Sequence, residues 1–176
     1  PFWTSGIIRM IAWIPFLGLN GIFNQSLLAV GLIDAPLEFL LFSDVAVVIA
    51  YVHLLTLFMI VPVVNAMARI DPAVIEAAVD AGANSWRVIW EVVLPLSKSG
   101  IALGSIFVVA LVMGDFFVVK IMSGGQSASV VSALQNEVAA LQYPPAAASA
   151  VIMVIIVTLM VAAILRVVDV RKELAG

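Results

Sequence analysis

Four ionisable side chains stand where charge is expensive. Arg9, His53, Asp115 and Lys120 fall inside or at the rim of long apolar stretches, and a carboxylate near the centre of a membrane helix costs about 2.5–3.5 kcal/mol on insertion scales. Asp115 therefore requires a partner, a water-filled path or a proton. Read as one helix, residues 100–122 put Gly104, Val108, Leu111 and Asp115 on a single stripe with Phe116 beside it, so that an anionic group next to an aromatic face is set to receive a cation. Asp115 and Phe116 are the candidate substrate-path residues. The competing reading is an ion pair between Asp115 and a basic side chain of another helix. His53 reads as a neutral imidazole hydrogen-bonded between helices, because the chain has one histidine and no cysteine and so offers no second ligand of that kind for a metal. Lys120 can snorkel to the interface, and Arg9 either does the same or pairs with an acid. There is no Ser-His-Asp arrangement, paired carboxylate site or phosphate-cradling glycine loop, so no catalytic, cofactor-binding or metal-binding residue is assigned.

A polar island at residues 69–99 suggests recognition rather than catalysis. Asp71-Pro72 opens a helix: the Asp71 side chain suits the N-cap, and Pro72 suits the first turn because its missing donor has no partner there anyway. The run from Ala73 to Ala81 holds Glu76, Ala77 and Ala78 with no Gly or Pro, so the helix is expected to continue to Gly82, which can take the left-handed conformation that ends it. Asn84 or Ser85 then caps a second helix carrying Trp86, Ile89, Trp90 and Val93, expected to break at Leu94-Pro95. Ala77, Ala78 and Ala81 let a partner's backbone come close, and the tryptophans are of the type that anchors interfaces. The alternative is an amphipathic loop lying on the membrane surface.

The elements around the island are membrane spans. With 64% hydrophobic and 11% charged residues and a mean hydropathy of +1.22, the chain is too apolar for a soluble domain and belongs in a bilayer. A net charge of −3 with no basic run excludes nucleic acid as a partner. Three stretches, 45–68, 100–122 and 146–168, are long enough to cross as helices, with Pro62 able to kink the first. Residues 1–18, interrupted by Arg9 and Pro15, read as the outer end of a further span. Arg69, Arg87 and Lys98 follow the first complete span, and Arg166, Arg171 and Lys172 follow the last. Two spans separate these clusters, so the positive-inside rule puts both on the cytoplasmic face. The intervening segments then face outward: a turn at 18–21, a short helix at 22–33, a break at Asp34-Ala35-Pro36, a turn at Gly124-Gly125, and a helix whose stripe is Val130, Val131, Leu134, Val138 and Leu141.

The island resembles the cytoplasmic EAA loop of the membrane-spanning subunits of bacterial ABC importers: Glu76-Ala77-Ala78, three residues, Gly82, nine residues, Val92, one residue, Leu94-Pro95. It departs only in having Val92 where the pattern has Ile. Within that family the chain is most similar to permeases of the spermidine/putrescine type, through Pro1-Phe2-Trp3-Thr4-Ser5, Asp71-Pro72, Asp80-Ala81-Gly82-Ala83, Leu94-Pro95-Leu96 and the Gly124-Gly125 turn.

The resemblance implies an all-α integral membrane protein with a partial type I importer permease fold, of about three complete transmembrane helices plus the end of another. It covers residues 1–176, with the coupling loop at 69–99. Because the Pro1–Ser5 segment sits inside the third of six spans in such permeases, the chain is expected to be the C-terminal part of a subunit. The resemblance further implies ATPase coupling through Glu76, Ala77, Ala78, Gly82, Leu94 and Pro95. Its expected partners are a cytoplasmic ATPase dimer that binds the ATP and Mg, a second permease, a periplasmic solute-binding protein and the inner-membrane lipid. The expected cargo is a small, polyamine-like solute moved by alternating access. A different class, an ATPase-independent channel or structural membrane subunit, stays open on the residues alone.

Overall fold

A computed structural model describes residues 4–167. Those residues fold into helices joined by short turns, in two compact units: residues up to Thr56 together with Val112–Val154, and Leu57–Leu111 together with residues from Ile155 on. The Pro-Phe-Trp part of the opening segment, residue 168, and the basic pair Arg171 and Lys172 lie outside the described residues.

In the first unit, α1 (Gly6–Ile11) and α2 (Trp13–Leu17) are separated only at Ala12, whose backbone stays right-handed. After a turn comes α3 (Ile22–Ala29). It is shorter than the expected 22–33 helix because the chain turns over at Val30 and Gly31, where the Leu32 amide reaches back to the Leu27 carbonyl at 3.0 Å. Asn24, fully buried, locks this region. Its Nδ2 donates to the carbonyls of Gly18 (3.1 Å) and Leu37 (3.4 Å), and its Oδ1 accepts from the Leu37 amide at 2.9 Å. A single 3-10 turn at Glu38–Leu40 leads into α4 (Asp44–Met67), which fits the first expected span and runs unbroken through Pro62. Met10, Leu17, Leu40, Ala46, Val47, Ala50, Val118 and Met122 form the buried apolar cluster of this unit.

The second unit begins within α4 and continues through α5 (Pro72–Asp80), α6 (Ser85–Val88), a π-helical turn (Ile89–Val93), α7 (Leu94–Leu96) and α8 (Lys98–Met113). α8 packs on the lower part of α4 through backbone contact at Gly100. A Cβ there would strike the Pro62 carbonyl and lie 2.6 Å from Ala66 Cβ, so only glycine permits the approach.

The expected second span, 100–122, is not one helix. α8 stops at Met113, and a new helix, α9 (Phe117–Met122), starts after Gly114-Asp115-Phe116. Gly114 contributes little helix propensity, and the short Asp115 side chain competes for backbone amides. α10 (Val130–Ala139) opens with a capping box between Ser129 and Ser132, whose amide and hydroxyl exchange bonds of 3.1 and 2.9 Å. Leu141, expected on its stripe, lies past its end with φ 60°. α11 (Tyr143–Val167) occupies the last expected span. Among the described residues three stretches can cross a membrane by length and composition: Gly6–Ala29, Asp44–Met67 and Tyr143–Arg166, with mean hydropathies of 1.5, 2.5 and 2.9. The Ser85–Leu96 and Lys98–Met113 pair, bent by 67°, qualifies together as a broken span.

Candidate coupling loop and charges at membrane depth

The polar island folds as a helical hairpin. Asp71 Oδ1 accepts the Ala73 amide at 2.9 Å, and Pro72 occupies the first turn, so α5 starts where expected. It ends in a Schellman closure: the Ala83 amide bonds to the Ala78 carbonyl (3.0 Å) and the Gly82 amide to the Val79 carbonyl (2.9 Å), with Gly82 at φ +84°. A side chain at 82 has open space, so it is the backbone angle that requires glycine. Of the two expected caps Asn84 serves, its Oδ1 accepting the Arg87 amide at 2.8 Å.

The helix does not break at Leu94-Pro95. A proline ring collides with the carbonyl four residues back and offers no donor to it. Here a π turn precedes it, in which the Leu94 amide reaches the Ile89 carbonyl five residues back, and this wider turn carries the chain helically past Pro95. The break falls instead at Ser97, which is buried with no hydrogen-bond partner on its Oγ and lies between the segments bent by 67°.

α5 packs against α6 and the π turn, which brings Glu76, Ala77, Ala78 and Gly82 into one hairpin with the second helix. Leu94 and Pro95 follow one turn further along. Glu76, Ala77 and Gly82 are exposed and Ala78 is half-buried. Trp86 and Trp90 stack edge to face at 5.9 Å with 68% and 54% of their surfaces exposed, and Val79 is 54% exposed. An apolar surface of this kind on an otherwise polar loop is of the sort that either a protein partner or the membrane surface covers. The Arg87–Glu91 pair beside it, 3.0 Å apart, is largely exposed and contributes little to stability.

Asp115 is met by donors of another kind than a basic side chain. Its Oδ1 accepts the Phe117 amide (3.1 Å), and its Oδ2 accepts the Val118 amide (3.2 Å) and the Tyr51 hydroxyl (3.0 Å). The carboxylate thus satisfies orphan amides at the start of α9 and ties α9 to α4. The stripe expected through Gly104, Val108 and Leu111 ends with α8 and does not extend to Asp115. Phe116 packs edge-on against Phe117 at 6.1 Å.

His53 differs from the expected interhelical hydrogen bond: its ring stands edge-on to Trp13 at 5.6 Å. Lys120 is exposed near the end of α9. Arg9 is the contrast, because its Nε and Nη1 are buried with no acceptor. Asn24, Tyr51 and Ser97 were not singled out in the sequence. Tyr51 carried the clearest signal, since a phenol within an apolar helix needs a hydrogen-bond partner.

Apolar helices of crossing length define a multi-pass membrane protein, and a helix–Gly–helix loop lies exposed beside them. Residues 2–173 match the family described as binding-protein-dependent transport system inner membrane component. The chain belongs to that family. It is 37% identical over 137 residues to the spermidine/putrescine transport system permease protein PotB of Haemophilus influenzae, covering 78% of this chain and 48% of that protein. It is 33% identical over 135 residues to PotB of Escherichia coli K12, covering 77% and 49%. The inner membrane ABC transporter permease protein YdcU of Escherichia coli K12 is 33% identical over 132 residues, with 69% and 42% covered. The chain spans about half the length of the curated relatives it matches.

Proposed function

We propose that this chain forms part of the permease subunit of an ATP-driven importer in a bacterial inner membrane, carrying a small amine-bearing, polyamine-like solute by alternating access. The observation that carries this reading is the exposed 71–96 hairpin, with its glycine closure and its paired tryptophans. Glu76, Ala77, Ala78 and Gly82 seat in a cytoplasmic ATPase dimer, which holds the ATP and Mg, and the Leu94-Pro95 segment passes motion through the Ser97 bend into α8. A second permease completes the path, and a periplasmic solute-binding protein delivers cargo. The loop and the chain's C-terminus lie on the cytoplasmic side, an orientation supported by Arg69, Arg87, Lys98 and Arg166. The PotB likeness supports the amine-bearing cargo. Asp115, with three donors on a carboxylate that offers about four acceptor positions, keeps one for a cargo ammonium, with Phe116 adjoining.

The test is copurification and uptake with the complete transport system. Gly82→Pro and Glu76→Lys are expected to leave the subunit in the membrane while abolishing solute uptake and releasing the ATPase. Pro cannot adopt φ +84° and removes the closing amide, and Lys reverses charge on the exposed helix. Normal uptake and copurification in both variants would refute the coupling role, and a wild-type subunit that brings down no ATPase would favour the channel alternative.

A further inference from the structure

A groove of about 490 Å³ lies in the first unit between two short stretches of chain that flank α3. One wall carries Leu17, Leu19 and Asn20 from the end of α2 and the turn after it, and the other carries Leu37, Glu38 and Phe42 from the segment before α4. The buried side chain of Asn24 ties the walls together: it donates to the Gly18 carbonyl on one side and the Leu37 carbonyl on the other, and accepts the Leu37 amide. Both walls are therefore fixed before any ligand arrives, which lowers the cost of binding one. Phe42 holds φ at 56°, an angle uncommon for a bulky residue, and its ring is backed by Gly124, where a Cβ would come within 2.8 Å of it. Backbone strain of this kind clusters at ligand clamps.

Glu38 is the charged member of the lining, and it is exposed, so a solute can reach its carboxylate. Among the described residues neither that carboxylate nor the Asn20 side-chain amide has a hydrogen-bond or ion-pair partner. We infer that the groove is an outer subsite for an aliphatic ammonium: Glu38 accepts its N–H donors, the Asn20 side-chain oxygen adds an acceptor, the half-exposed Phe42 ring stands beside the charge, and the leucines cover the methylene stem. A bare metal cation gains nothing from leucine walls, and Glu38 repels a carboxylate. The groove's size lies within the range of about 300–1,000 Å³ typical of small-molecule sites. The subsite lies ahead of Asp115, because Glu38 precedes the start of α4 at Asp44, whereas Asp115 bonds to Tyr51, about 10 Å further along that helix. The inference rests on the permease reading and refines it: the amine is received at the outer mouth before it reaches the Asp115 carboxylate.

A local probe separates this subsite from any other amine site on the complex. Leu19→Cys places a thiol on an exposed position of the wall, and its reaction with the neutral reagent methyl methanethiosulfonate is followed by mass spectrometry of the peptide carrying residue 19. The full-length permease with its ATPase is used in lipid nanodiscs, with increasing 1,4-diaminobutane or butanoate. Saturable slowing by 1,4-diaminobutane is expected, and none by butanoate. Glu38→Gln should raise the concentration giving half protection about tenfold or more, and Glu38→Asp, which keeps the charge, by less. The melting temperature of Glu38→Gln should match wild type, since the carboxylate has no partner in the chain to lose. The subsite is overturned if 1,4-diaminobutane gives no protection, if Glu38→Gln is protected as well as Glu38, or if butanoate protects as well as the diamine. Failure to recover an ATPase with the wild-type permease refutes the transporter reading instead, and is scored separately on the same preparation.

Discussion

Asp115 and Arg9 begin from the same problem and solve it in opposite ways. Each is an ionisable side chain placed in an apolar stretch, where an unpaired charge costs several kcal/mol. Asp115 is resolved inside the chain: Gly114 lets α8 stop, and the freed amides of Phe117 and Val118, with the Tyr51 hydroxyl, surround the carboxylate. Arg9 has no such local answer. Asp115 stands just ahead of a helix start, where free amides face it, whereas Arg9, although in the last turn of α1 where carbonyls are free, reaches none of them with Nε or Nη1. The partners each side chain finds therefore separate a charge held mostly by its own chain from one whose Nε and Nη1 are held by none of the described residues.

The sharpest way to break this comparison is Asp115→Ala. It removes the acceptor for two helix-start amides and leaves the Tyr51 hydroxyl without a partner, an expected loss of about 2–4 kcal/mol from the cap and the orphaned donor together. Thermal unfolding in lipid nanodiscs, or abundance in the membrane, reads it. Asp115→Asn retains a carbonyl oxygen able to serve the same amides and should recover most of the loss. Stability of Asp115→Ala equal to wild type would remove the structural role.

Tyr51→Phe is a smaller cut at the same site. It deletes one donor to an acceptor that keeps its two amide bonds, so about 1–2 kcal/mol is expected. Combined with Asp115→Ala the effects should be strongly non-additive, because the two side chains share one bond of 3.0 Å. Simple additivity in this double-mutant cycle would show that the bond contributes nothing measurable.

How much of this was legible from residues alone follows the range over which each feature is decided. The 71–96 hairpin could be read nearly in full, since Asp71, Pro72, Gly82 and Asn84 act on amides two to five residues away and their types report their local structure. The spans of α4 and α11 were equally plain from apolar length. The break at residues 114–116 was not, because the Val, Phe and Ile around it are as apolar as a continuous span requires and the tie that stabilises the break comes from Tyr51, 64 positions away. The helical passage through Pro95 depends on a π turn, which leaves no compositional trace. Asn24 was hidden as well, since its partner Leu37 lies 13 positions away across a loop. That Asp115 and Arg9 are costly could be seen in the sequence; which of them is satisfied depends on tertiary contacts.

The smallest expected effect is on stability in Arg9→Gln, and it is the one that most sharpens the contrast. With no acceptor on Nε or Nη1, neutralising the side chain breaks no bond in the chain and removes a desolvated charge. The melting temperature of the ligand-free complex should therefore stay at wild type or rise slightly, a change within about 0.5 kcal/mol. A paired Arg9 predicts a loss of about 3–5 kcal/mol, because the acidic partner would be left buried and uncompensated. The two outcomes differ by more than the error of thermal unfolding. Run beside Asp115→Ala in the same lipid, Arg9→Gln should leave the fold intact where the aspartate variant weakens it, and a destabilisation matching that of Asp115→Ala would place Arg9 with the structural charges.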